Sequence, residues 1–254
     1  MSPALWIAWA TFHRARVVRI AGAICALGPA MIALVFFAAA GPDSRGLAGA
    51  KLESLAAEQT WSSFIEASAQ ITSVGLLLAG GVVVAWWFGR DFENSTFATL
   101  FARAVPRVAI AAARLTLLTA CGAATIIVGL AATLAAGATL GLDRPDDIAS
   151  AAGLFIAVGA LTVVLLPLVA LAASLFRSVT AAFGALLGIV VVTQLGVTFG
   201  VGAWLPLAVP ELLAGIAGEN AAAAVGWPHL GLLLLLSGIC TVATLAWWAR
   251  ARVE

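Results

Sequence analysis

Charge is scarce in this chain: 10% of its 254 residues are Asp, Glu, Lys or Arg, against 63% hydrophobic residues and a mean hydropathy of +1.10. That leaves too little polar surface to cover a water-soluble globule of this length, so the chain reads as an integral membrane protein. Lysine is almost missing. The single Lys51 lies within GAKLES, without the glycine spacing and the Gly-Lys-Ser/Thr ending that let a P-loop cradle phosphates. The chain is therefore not expected to hydrolyse ATP by that route, and it is read as no enzyme. His13 and His229 are the only histidines, far apart and without an HExxH pattern, so a metal site or an intramembrane metalloprotease has no support. Cys25, Cys121 and Cys240 fall inside apolar runs and read as packing thiols, with no metal or cofactor implied. Gln70 and Gln194 are the polar amides within spans, read as interhelical hydrogen-bond partners. An ion-coupled transporter usually carries ionisable groups at mid-membrane. The net charge of +1 argues neither for nor against an acidic partner, and no nucleic-acid partner is expected.

What is present is six apolar stretches, each able to cross a hydrocarbon layer of about 30 Å, which takes about 20 helical residues. They fall near 17–40, 67–88, 115–136, 148–175, 181–200 and 229–248. The third apolar run extends from Val108 to Leu140, about 50 Å of helix. That helix should project beyond the bilayer, with Arg114 at the rim and its stem snorkelling.

Assigning alternate loops to one side gathers Arg14, Arg16, Arg19, Arg90, Arg103, Arg107, Arg114, Arg177, Arg250 and Arg252 against Asp91, Glu93 and Glu254. By the positive-inside rule that side is the cytoplasm, with both termini inside. The opposite side holds Asp43, Glu53, Glu58, Glu66, Asp143, Asp146, Asp147, Glu211 and Glu219 against Arg45, Lys51 and Arg144. Trp86, Trp87, Trp247 and Trp248 fall at proposed inner ends and Trp61, Trp204 and Trp227 near outer ends, as an interfacial belt requires. Residues 1–16 place Leu5, Trp6, Trp9 and Phe12 at helical spacing beside His13, Arg14 and Arg16, the pattern of an amphipathic helix lying in the interface. A plain cytoplasmic flank is the alternative. The run 17–40 is longer than a signal-peptide core, although Ala38-Ala39-Ala40 could pass for a cleavage site. Residues 201–217 stay apolar but are broken by Pro206, Pro210 and Glu211. A segment that enters the outer leaflet and returns fits both their length and the charge map, with a surface-lying outer helix as the alternative. The chain reads as one transmembrane domain over 1–254.

The polar exception is residues 89–107, GRDFENSTFATLFARAVPR, between the second and third spans. Glu93, Ser95-Thr96, Leu100-Phe101, Ala104-Val105-Pro106-Arg107 and Arg114 follow a recognisable order. It resembles the segment at this place in ABC transporter permeases of the type 2 (drug and polysaccharide exporter) superfamily. Those carry an acidic residue, Gly-Thr, two large apolar residues, Pro-Val-Ser-Arg and a later Lys; Ser95, Ala104 and Pro106 depart from that pattern. The resemblance implies a coupling helix that docks in a cleft of a stand-alone ABC ATPase, with Glu93, Thr96, Leu100, Phe101, Arg103, Arg107 and Arg114 as coupling residues. Asn94 or Ser95 could cap that helix. Arg177, in SLFRSVT, is a candidate second contact, with a topogenic role as the alternative.

The resemblance further implies six spans with both termini inside and an outer re-entrant gate at Pro206, Pro210 and Glu211. ATP would be bound by the partner subunit, and a second permease, identical or homologous, would complete the pathway along the second and fifth spans. The expected setting is a cell membrane, the bacterial plasma membrane, and the expected cargo a hydrophobic or amphipathic substrate moved out of the cytoplasm or inner leaflet. The rivals are a membrane sensor or scaffold that binds another cytoplasmic protein through the same insert, and a secondary transporter.

Overall fold

The computed structural model describes residues 3–39, 60–93, 105–142 and 148–251. Among these the chain is helical without a β-strand: α1 (Pro3–Phe12), α2 (Arg16–Ala39), α3 (Trp61–Glu93), α4 (Arg107–Thr139), α5 (Ile148–Leu165), α6 (Pro167–Phe176), α7 (Val179–Thr198), α8 (Val209–Leu213), α9 (Glu219–Ala223) and α10 (Trp227–Arg250). The ring of Pro167 removes one backbone donor and separates α5 from α6 at Leu166. The two still form one crossing unit, Ile148–Phe176, and the described residues then contain six helices long and apolar enough to span a membrane. All six coincide with the expected runs to within several residues. α4 has 33 residues, about 50 Å of helix.

Enclosure differs sharply between spans. In α3 61% of the most apolar stretch is buried inside the protein, against 17% in α7 and in α10, so α3 is the axis around which α2, α5, α6 and α7 pack. α3 is thus the most enclosed of the six candidate spans. Close packing relies on small residues where helices cross. A Cβ at Gly122 of α4 would come within 2.7 Å of Val163 of α5, and one at Gly159 of α5 within 2.8 Å of Ile126 of α4. Each helix thus offers a glycine to a branched side chain of the other. Several hydroxyls inside spans donate to the carbonyl four residues earlier, as in Ser68 to Phe64, Thr162 to Val158 and Thr244 to Cys240, which satisfies those donors in an apolar surrounding; among the described residues the buried Thr133 hydroxyl and Trp87 indole N–H have no such partner. The three cysteines are free thiols.

Two expectations change here. Trp6, Trp204 and Trp227 are exposed, as interfacial anchors should be, but Trp87 and Trp248 have 0% exposure. Those two build the interior of one end of the bundle, and the double-tryptophan pairs therefore divide between core and rim. α1 presents Ala4, Ala8 and Phe12 inward, with Phe12 4.3 Å from Trp87 between ring centroids. Its other face carries Trp6 and Trp9, while His13, Arg14 and Arg16 lie beyond its end. It is apolar all round and docked on the helices by one face.

Candidate functional site

The segment that sequence pattern singles out leaves α3 at Glu93 and returns into α4 at Arg107, and both attachment points are tied down. Thr96, Leu100, Phe101 and Arg103, and the proposed caps Asn94 and Ser95, lie outside the described residues.

On the α3 side, Asp91 is the hub. Its carboxylate pairs with the Arg114 guanidinium of α4 and stands 3.6 Å from Arg90 Nε. Arg114 also donates to the Trp87 carbonyl oxygen at 2.7 Å. The guanidinium lies 5.3 Å from the Trp248 ring centre, 5.7 Å from Phe88 and 5.9 Å from Trp87. At 4% exposure Arg114 is enclosed by protein, which corrects the expectation that its stem snorkels. A carboxylate, a carbonyl and three ring faces replace the water a lone guanidinium would need. Arg90, at the edge of the cluster, stacks 4.2 Å above Trp86.

Glu93 turns the other way. Its Oε1 accepts from the Val179 backbone N–H at 2.7 Å and from the Ser178 hydroxyl at 2.9 Å, while Ser178 Oγ accepts from Ala181 N–H as the N-cap of α7. The last turn of α3 thus supplies an anionic cap to α7, at the helix end that favours negative charge. Such an approach needs a residue without a side chain one turn earlier. A Cβ at Gly89 would stand 2.8 Å from Val179 N. On the α4 side, Arg107 donates to the carbonyl oxygen of Ala251 at the end of α10. The Trp248 indole N–H meanwhile bonds Ser174 Oγ of α6 at 3.0 Å. Gly89, Asp91, Ser178 and Trp248 were not singled out by motif. Asp91 carried the one available signal, an acid inside an arginine-rich stretch.

The second constellation lies between α7 and α10. Leu207, Val209, Pro210, Glu211 and Leu212 are buried, and Pro206 is half-buried. Pro210, in the first turn of α8, needs no N–H donor there. Gly215 reverses the chain at φ 80°, a conformation suited to glycine. Glu211 Oε2 accepts from Gln194 Nε2 of α7 at 2.6 Å, so this amide bonds the segment that follows α7 rather than a second span. Burial holds the Glu211 carboxyl above its ordinary 4.5, partly offset by the Gln194 bond. An acid whose folded-state value is raised favours the docked segment most below that ordinary value and loses this contribution as pH rises through the raised one. Thermal unfolding in detergent, followed across pH 4 to 8, should therefore give a falling midpoint for the wild type and a flatter profile for Glu211→Gln. Parallel profiles would show that Glu211 does not titrate in this contact.

Comparison with protein-family models, with curated proteins and with solved structures finds no match.

Proposed function

We propose that this chain is the transmembrane permease subunit of an ATP-driven exporter of the ABC type 2 class, worked by a separate ATPase subunit. The supporting observation is the anchoring of residues 94–106 at both ends. Glu93 binds α7, Asp91 and Arg114 join α3 to α4, and Arg107 holds α10. Force applied to that insert would pass to four spans together rather than be lost in a loose loop. The insert acts as the coupling helix, with Leu100 and Phe101 in an apolar cleft of the ATPase. Both termini face the cytoplasm, α1 rests at the inner interface, and residues 201–217 re-enter from outside as a gate closed by Glu211 and Gln194. A second permease packs against this one. α7, with Val191, Val192 and Leu195 exposed and exposed Phe199 just past its end, is with α10 one of the two least enclosed spans, and it is the wall offered to that second permease and to a hydrophobic or amphipathic substrate.

Affinity purification from native membranes in mild detergent tests the assignment. A P-loop ATPase should co-purify, and the permease stripped of it should hydrolyse no ATP. Repeated recovery without an ATPase would favour the sensor or scaffold reading. Orientation has its own check. Single cysteines at Ser44 and Ser95, in a background lacking the native three, should react from opposite sides, only Ser44→Cys labelling with an impermeant reagent in intact cells. Equal labelling would overturn the charge map.

A further inference from the structure

At the arginine-rich end, residues of α6 and α10 line a cleft of about 610 Å³. Arg177, Arg250 and Trp247 line it together with the apolar Leu171, Leu175 and Ala243. Both arginines are exposed, and among the described residues neither has a carboxylate partner. The nearby acids are engaged: Glu93 caps α7, and Asp91 is paired with Arg114. Arg177 is also the one described non-glycine residue with a positive φ, 52°, a conformation uncommon for a side-chain-bearing residue. That turn ends α6 and puts the guanidinium 5.9 Å from the Trp247 ring centre. Small Ala243 and Ala246 on α10 line the same cleft as the two charges.

We propose that this cleft is a binding site for one anionic glycerophospholipid, its phosphate held by Arg177 and Arg250, its glycerol level against Trp247 and an acyl chain along Leu171, Leu175 and the α10 alanines. Two cations above an apolar groove match an amphipath with a negative head. A free phosphate would leave the apolar walls unused. A soluble peptide has no route along the flank below, where Leu175, Ile239 and Val242 are exposed among the lipid-facing residues. The site is independent of the exporter assignment, because it needs only that this end of α6 and α10 lies at a bilayer surface. The Ala251 carbonyl bordering the cleft also receives Arg107, so an occupying lipid would brace the end of α4.

The test uses the whole wild-type chain in nanodiscs containing phosphatidylglycerol with a photoreactive group near the acyl carbonyl. Crosslinks should concentrate in residues 171–177 and 243–251, and the phosphatidylcholine analogue should give far fewer. Arg177→Gln with Arg250→Gln should lower retention of phosphatidylglycerol on the order of tenfold, by the contribution of each basic residue near a membrane surface. Arg19→Gln, an exposed arginine away from the cleft, should leave it unchanged. Excess inorganic phosphate should not displace the lipid. Equal crosslinking by the two lipids, crosslinks spread over all spans, or displacement by phosphate would each overturn the proposal, and the wild-type arm decides even if the double variant misfolds.

Discussion

Arg114→Ala is expected to lower the stability of the helix bundle by about 3–5 kcal/mol, because it leaves the Asp91 carboxylate inside the protein without its main partner. Arg90 would still stand 3.6 Å from Asp91 at the edge of the cluster, but the Trp87 carbonyl would lose its side-chain donor. Asp91→Leu should be similarly harmful, since it strands a guanidinium at 4% exposure. The double variant Asp91→Leu/Arg114→Met should recover most of the loss, as apolar replacement of a whole buried ion pair is often neutral. Thermal midpoints and the monodisperse fraction in detergent measure this. Additive losses in the double variant would show that the two charges act separately. Arg107→Ala, which removes one donor to a carbonyl at the end of α10, should be milder, about 1–3 kcal/mol.

If the insert docks on an ATPase as proposed, Leu100→Asp should uncouple the complex while leaving insertion intact. An unpaired carboxylate in an apolar cleft costs at least about 1–3 kcal/mol, and every 1.4 kcal/mol is about tenfold in binding. ATPase assembly should therefore weaken about tenfold or more, and stimulated ATP hydrolysis with it. Glu93→Gln should behave differently. Its carboxylate is committed to Val179 and Ser178, so the ATPase should still assemble, whereas transmission into α7, and hence stimulated hydrolysis and transport, should fall. Asp143→Arg, on the opposite side of the charge map, should assemble and couple normally if it inserts. Assembly, hydrolysis and transport measured on all three separate docking from transmission. Normal coupling in both Leu100→Asp and Glu93→Gln would make this stretch a solvated loop.

The spans were legible because an apolar run of about 20 residues leaves a helix as the simplest way to satisfy its backbone in hydrocarbon. Depth within the bundle was less so. Trp86 and Trp87 are adjacent in sequence and both qualify as belt residues, yet they point about 100° apart on a helix, and only Trp87 meets Phe12, Phe88 and Arg114. Arg114 was read as a snorkelling rim residue because charge alone does not disclose a carboxylate on another helix; the Asp91 pairing depends on α3 and α4 running side by side. The capping of α7 by Glu93 joins residues 85 positions apart and has no local pattern. The segment after α7 shows the converse. Its two prolines and one acid marked it as irregular, and its burial followed from apolar composition, but the Gln194 partner emerged only from the fold.

The most direct test of the exporter assignment is a photocrosslinking residue placed at position 100, with position 143 as the control, in the native host. The expected result is an adduct from position 100 to a P-loop ATPase, strengthened or weakened by ATP, and none from position 143. An adduct from position 100 only to a protein without a P-loop, or equal ATPase adducts from both positions, would contradict the proposal that this insert couples the chain to ATP hydrolysis.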